Sequence, residues 1–256
     1  VYKRQIYAYQ NLLDMYPDYR EGPIIQQNVV DALFAQGRDQ DAYVARHALY
    51  ENYGPQSGWY LLMEESELDN KLEYLNAAHK YSEQALRTNI ILDLEKAEEI
   101  AATGTPSIPA YEKVIDGSLL YLNSFPTDSN AYEIHWSYAF LLDSRLGRFE
   151  DSFNEYIKVS NDYYEDHHQH QAALNAVFVA DTLVKLRYGN LTDSTSTFNL
   201  SDLAELSPRS LTPEETRLIE AYDNYIRLFP LGEYTPKFLA AAGGICLLYT
   251  SPSPRD

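Results

Sequence analysis

Cysteine is almost missing from this chain. The single thiol among its 256 residues is Cys246, close to the C-terminal end. One thiol cannot form an intrachain disulfide, and it cannot supply the several cysteines of a structural zinc site. The sequence therefore excludes a fold held together by disulfides and a cysteine-based zinc finger.

Basic residues are also few. The chain has 20 Lys and Arg against 38 Asp and Glu, which gives a formal net charge of −18 at pH 7. Nucleic acids and anionic membrane surfaces are bound by clustered lysine and arginine, so this balance argues against both partners. It favours a basic partner or serves solubility alone, and both explanations stay open.

Long apolar runs and catalytic loop motifs are absent from the sequence too. No run approaches the ~20 apolar residues of a membrane-spanning helix, and there is no glycine-rich phosphate loop or nucleophile elbow. We therefore expect no membrane insertion, no cofactor and no enzymatic activity in these residues. Hydrophobic residues nevertheless make up 45% of the chain, which is enough for a sizeable core.

A ten-residue pattern occurs three times. In each copy large residues stand three and four apart and precede an aromatic residue and a proline, as in the last turns of an amphipathic helix. The copies are Ala8–Pro17, Gly117–Pro126 and Ala221–Pro230. A second interval also recurs, because Gly37 precedes Tyr53 by 16 residues and Gly147 precedes Tyr163 by the same number. These recurrences predict a protein built from helical hairpins.

Apolar spacing predicts helices along most of the chain. The expected helices cover residues 6–16, 24–36, 39–53, 67–101, 109–125, 131–146, 149–164 and 168–185. The pattern over 67–101 fits one long helix or two with a bend near Thr88, and Gly37 is expected to cap its helix in the left-handed conformation. Thr212, Pro213 and Glu215 predict a further helix start. Residues 188–211 are polar and are predicted to form a long loop.

Residues 131–164 resemble the tetratricopeptide repeat, and residues 24–55 resemble it more loosely. The resemblance is carried by Trp136, Ala139, Phe140, Leu146, Gly147, Phe149, Ser152 and Tyr156. Asp39 and Asp143 depart from the family, which has aromatic residues there. The resemblance implies an all-α fold, a right-handed α-solenoid of antiparallel helical hairpins. The aromatic-proline ending is similar to a bacterial subgroup found in cell-envelope proteins.

Both ends of the chain resemble something other than a protein sequence. Val1–Gln5 resembles the translation of a transposon-end sequencing adapter, and Cys246–Asp256 resembles the opposite strand of that adapter in another frame. This resemblance implies that residues 1–5 and 246–256 are artefacts and that residues 6–245 are a fragment of a longer protein. Without these ends the chain keeps 17 basic and 37 acidic residues, a net charge of −20. A genuine exposed tail is the alternative.

Two kinds of side-chain cluster suggest chemistry, and neither is expected to carry it. His167, His168 and His170 could supply metal ligands, but a histidine-rich helix start is the commoner explanation, so we predict no metal site. Paired glutamates such as Glu214–Glu215 point about 100° apart on a helix and do not converge on a substrate. We expect these pairs to lie on solvated faces.

The surface of the predicted solenoid is the remaining candidate site. Stacked hairpins expose their first helices along a groove, and the groove residues predicted here are Gln27, Asp31, Glu133, Ser137 and Asp143. This set lacks the lysine and arginine that would clamp a peptide carboxylate. We therefore predict an acidic groove that prefers a basic or polar peptide.

Taken together, these patterns predict a non-enzymatic scaffold for protein–protein interaction, part of a larger bacterial protein. A periplasmic or outer-membrane-associated location follows from the envelope resemblance, and a cytoplasmic one is the alternative. A different class of function also stays open, in which the helices form the superhelix of an enzyme such as a lytic transglycosylase whose catalytic domain lies elsewhere. The full-length reading frame would separate the two.

Overall fold

A computed structural model describes residues 2–164, 166–188 and 210–249, and all regular structure in these residues is α-helical. In chain order the helices are α1 (Tyr2–Met15), α2 (Gly22–Phe34), α3 (Asp39–Tyr53), α4 (Gly58–Glu65), α5 (Lys71–Ala102), α6 (Ile108–Ser124), α7 (Ala131–Ser144), α8 (Phe149–Asn161), α9 (Gln169–Arg187), α10 (Pro213–Leu228) and α11 (Thr235–Tyr249). The predicted all-α fold is confirmed. Most of the predicted polar loop lies outside the described residues, and the assignment of both ends to adapter sequence stays a prediction.

The chain divides into two compact units, Val1–Ile134 and His135–Asp256. In the first unit α1 packs on α2, α2 on α3, α3 on α5 and α5 on α6, and α5 also contacts α2 and α4. In the second unit α8 packs on α9, α9 on α10 and α10 on α11. Among the described helices, none has both the length and the apolar character that crossing a bilayer requires.

Apolar residues of α2 and α3 form much of the core of the first unit. Val29 and Leu33 on α2 are buried, as are Ala42, Leu49 and Tyr53 on α3. Burying a leucine or valine side chain contributes roughly 1.5–3 kcal/mol each to stability. Both helices can pack closely because Ala42, at the first turn of α3, is fully buried and small.

The long helix α5 corrects part of the predicted core. It is a single helix of 32 residues, without a break near Thr88. Leu72 and Ile91 belong to the apolar spacing that predicts a helix over 67–101, which would place them inside, but they are 67% and 44% exposed. The buried stripe instead includes the polar residues Ser82, Glu83 and Asn89. Polar side chains can replace apolar ones there because hydrogen bonds compensate for their loss of water. Glu83 and Asn89 bond neighbouring helices, and the Ser82 hydroxyl donates to the His79 carbonyl of α5 itself.

The same turn joins α2 to α3 in the first unit and α7 to α8 in the second. Gly37 and Gly147 adopt φ values of 66° and 63°, in the left-handed region where other residues are strained. The arginine after each glycine bonds an aspartate three residues later: Arg38 Nε donates to Asp41 at 2.7 Å, and Arg148 Nε donates to Asp151 at 2.9 Å. The predicted left-handed cap at Gly37 is confirmed.

A second arrangement also occurs once in each unit. In the first unit the Phe125 ring lies 5.4 Å from that of Tyr121 and 5.2 Å from that of His79 on α5. In the second, the corresponding ring centroids of Tyr225 and His170 lie 5.3 and 4.9 Å from the Phe229 ring. In the described residues each unit therefore contains, in the same order, a glycine turn of this kind and a tyrosine–phenylalanine–histidine cluster.

The first copy of the aromatic-proline pattern does not follow this arrangement. Tyr16, the aromatic residue before Pro17, is 56% exposed, whereas Phe125 is fully buried. The three copies therefore differ in how the aromatic residue before the proline is packed. In the second and third copies, a histidine of a helix earlier in the chain lies against the ring.

Candidate functional site

The groove residues predicted on α2 are neighbours on one face. Gln27 is half-buried and its amide donates a hydrogen bond to the Asp31 carboxylate at 2.8 Å, while Asp31 itself is exposed. The pair forms a local (i, i+4) contact of the kind that supports an isolated helix. A ligand at this face would compete with that hydrogen bond.

The groove residues predicted on α7 have unequal exposure. Glu133 is exposed, and Ser137 and Asp143 are half-buried. Burial raises the pKa of Asp143, opposed by a hydrogen bond from the Tyr156 hydroxyl at 3.5 Å. Asp143 follows Leu33 by the same 110 residues that separate the two turn glycines, and Leu33 is buried. Asp143 thus occupies a position that faces its neighbouring helix, and the shared groove of these five residues stays a prediction.

The histidine cluster is divided between two environments. The His168 ring stacks on Trp136 at 4.6 Å with planes 8° apart, and the His167 ring lies 4.4 Å from that of His168. His170 points instead to α10, where its Nε2 lies 3.0 Å from the Tyr225 hydroxyl. The idea that His167 and His170 share one ligand-binding face gains no support from this geometry, because His170 belongs to the packed cluster around Phe229.

A hydrogen-bond network also includes the buried His135 at the start of the second unit. Its Nε2 lies 2.6 Å from the Glu155 carboxylate, and its Nδ1 lies 2.8 Å from the Tyr163 hydroxyl. Burial alone would raise the pKa of Glu155, but hydrogen bonds from His135 and Lys158 outweigh it and lower the pKa. Since His135 is only 7% exposed, these hydrogen bonds connect α7 to α8 and do not face a substrate.

One of the acidic pairs corrects the expectation of solvated faces. Glu215 is 2% exposed, and its carboxylate accepts hydrogen bonds from the Thr212 backbone at 2.8 Å and from the Tyr188 hydroxyl at 2.8 Å. The Thr212 hydroxyl accepts in return from the Glu215 backbone, which completes a capping box at the start of α10. The predicted helix start is confirmed, and it explains why Glu215 is buried.

Both tryptophans contribute to packing, but they are buried to different extents. Trp59 is buried, with its indole N–H donating to the Tyr19 carbonyl at 3.0 Å and its ring 5.4 Å from that of Tyr53. It is a core residue of the first unit. Trp136 is half-buried between the His168 ring and the Tyr156 ring, so it too contributes mainly to packing.

An open groove in the first unit was not predicted. It has a volume of about 750 Å³ and is formed by α1, α2, α3 and the start of α4. Its described lining carries the acidic residues Asp14, Asp18, Asp41 and Glu51 and one basic residue, Arg38. The apolar residues of the lining include Leu13, Leu33, Val44, Ala45, Ala48 and Trp59.

The sequence contained a weak signal for this groove. The lining residues of α3 include positions 41, 44, 45, 48, 51 and 52, which follow helical spacing, with Asp41 and Glu51 on either side of Val44, Ala45 and Ala48. On the α1 side, positions 10, 13 and 14 and the following Pro17 continue the same spacing. Each stripe alone is typical of any amphipathic helix, and only the packing of the helices places the two stripes around one space.

No protein-family model matches the chain, and no curated protein matches it significantly. The case for its function therefore depends on its own residues and their arrangement.

Proposed function

We propose that this chain is a protein-interaction module of the tetratricopeptide type, an α-solenoid of helical hairpins that binds a partner protein without catalysing a reaction. The proposal depends on one observation: the same structural features occur in the same order in both units. A glycine turn followed by a tyrosine–phenylalanine–histidine cluster occurs in each unit, with matching distances. Recurrence of that kind is typical of repeat proteins.

Packing between helices close in sequence supports the same conclusion. In the second unit α8, α9, α10 and α11 each pack on the next helix of the series, and in the first unit α1, α2 and α3 do the same. Repeats that contact only their neighbours present a long surface instead of one enclosed pocket. Such a surface suits an extended peptide, and the predicted groove residues Gln27, Asp31, Glu133, Ser137 and Asp143 belong to this proposal.

Selection from a random peptide library displayed on phage tests the proposal. The full chain is immobilised, and selected peptides are synthesised and titrated by calorimetry. We expect enriched sequences that bind the folded chain with one-to-one stoichiometry and lose binding to the thermally unfolded chain. Repeated selection that enriches no sequence above the bare support would contradict the proposal.

A further inference from the structure

Asp14 and Asp18, on the α1 side of the groove, are exposed carboxylates that make no hydrogen bond or ion pair to any described residue. On the α3 side, the Glu51 carboxylate lies 3.1 Å from the His47 ring and forms an ion pair with no other described residue. His47 is a cation only when protonated. The groove therefore presents three carboxylates without a permanently charged partner.

The one basic residue of the groove does not offset this charge. The Arg38 guanidinium is paired with Asp41, with Nε 2.7 Å from the carboxylate. A basic ligand therefore would not meet a free guanidinium in the described lining. Because the whole chain carries a net charge of −18, its field also attracts cationic ligands towards the groove before contact.

The lining of the groove also offers apolar contacts. Val44 on α3 is 58% exposed, and Leu13 on α1 is a half-buried member of the same lining. A volume of about 750 Å³ is within the usual range of roughly 300–1,000 Å³ for ligand pockets, so it accommodates several side chains. Metal ions would leave these apolar side chains unused.

We infer that this groove binds a peptide segment rich in lysine or arginine, supplied by a partner protein. Apolar side chains of the segment contact Leu13 and Val44, and its cationic side chains pair with Asp14, Asp18 and Glu51. The groove is separate from the predicted Gln27–Asp31 face, since neither residue lines it. The inference rests on the proposed function and names the chemical class of the partner.

Two matched variants of the full chain test the inference. The first removes the unpaired groove charges by Asp14→Asn, Asp18→Asn and Glu51→Gln. The second removes three exposed carboxylates of α5 outside the groove by Glu73→Gln, Glu95→Gln and Glu99→Gln. Both variants change the net charge equally, and circular dichroism verifies that each is folded. The phage selection described above is repeated on both, and the strongest peptide is titrated by fluorescence anisotropy.

We expect the peptides selected on the unmodified chain to be rich in lysine and arginine. Their affinity should fall by about tenfold in the groove variant and by less than about twofold in the α5 variant, because exposed ion pairs each contribute modestly and act only at contact distance. Raising the salt concentration should weaken binding to the unmodified chain.

Three results would overturn the inference. These are enrichment of neutral or acidic peptides, unchanged affinity in the groove variant, and equal losses in the two variants. Each of these leaves the proposed binding function intact, because peptides still bind. Failure to enrich any peptide on the unmodified chain would instead remove the proposed function itself.

Discussion

The Tyr121 hydroxyl lies between two carboxylates in the interior of the first unit. It donates to Glu83 at 2.7 Å and lies 2.9 Å from Asp128. Tyr121 is fully buried and Glu83 is 6% exposed, so burial, reinforced by both acids, raises the pKa of Tyr121 far above its usual range. Burial alone would raise the pKa of Asp128, but hydrogen bonds from Asn130 and Tyr121 lower it. These hydrogen bonds compensate the Glu83 and Asp128 carboxylates for the water that they lose inside the fold.

Removing that hydroxyl should be costly. Tyr121→Phe leaves the buried Glu83 carboxylate with fewer donors, and a hydrogen bond to a charged group contributes about 1.5–3 kcal/mol. We expect the free energy of unfolding to fall by about 2 kcal/mol in urea titrations. Tyr225→Phe is the control, because the hydroxyl of that equivalent tyrosine bonds the His170 ring at 3.0 Å instead of a carboxylate. Tyr225→Phe should lower the free energy of unfolding by about 1 kcal/mol. Equal decreases in the two variants would contradict a special role of the two carboxylates.

The partners of Tyr121 could not be predicted from the sequence, although the tyrosine itself could. The recurring tyrosine and phenylalanine are evident in the second and third copies of the repeated pattern, where Tyr121, Phe125 and Tyr225 are buried and Phe229 is half-buried. Glu83 and His79, however, lie about 40 residues earlier on α5 and look like the polar face of an amphipathic helix. No local spacing encodes a contact between distant segments, so the burial of Glu83 and the contact of the exposed His79 with Phe125 are visible only in the packed structure.

At the scale of elements, two glycines set the geometry of the hairpin turns. Gly37 and Gly147 have positive φ, and a Cβ added at Gly37 would meet no atom within 4 Å. Any cost of substitution there is therefore backbone strain alone and not a clash.

Gly37→Ala and Gly147→Ala should each destabilise the chain by about 1 kcal/mol, since L-residues are strained in the left-handed region. Gly58→Ala is the matched control, because Gly58 also has open space around it but lies at the start of α4 without positive φ. There the change should be neutral or slightly stabilising. Midpoints of thermal unfolding measure all three, and a loss at Gly58 as large as at Gly37 would show that strain is not the cause.

Helix boundaries were predictable where turn residues mark both ends. The predicted range 39–53 coincides with α3, because Gly37 precedes it and Gly54–Pro55 follow it. The long helix α5 begins at Lys71 and not at residue 67, since no glycine or proline marks its start. Its apolar residues continue past the positions that neighbours cover, and so periodicity overestimated its buried face.

At the scale of the whole molecule, negative charge dominates. The net charge is −18 and the isoelectric point is about 4.6. Several of the described ion pairs join residues three or four apart, as in Arg38–Asp41, Arg148–Asp151 and Lys185–Asp181. Exposed pairs of this kind contribute about 0–1 kcal/mol each. Repulsion among the remaining carboxylates therefore opposes the compact state at neutral pH.

Added salt should then stabilise the chain. Raising sodium chloride from roughly 20 to 300 mM shortens the Debye length from above 20 Å to below 10 Å, which screens repulsion between separated carboxylates more than contacts at 3 Å. We expect the melting temperature at pH 7.5 to rise by a few degrees, and the increase to vanish near pH 4.6, where the net charge is close to zero. An equal increase at both pH values would indicate a salt effect on apolar burial instead. A decrease at pH 7.5 would mean that ion pairs outweigh the repulsion.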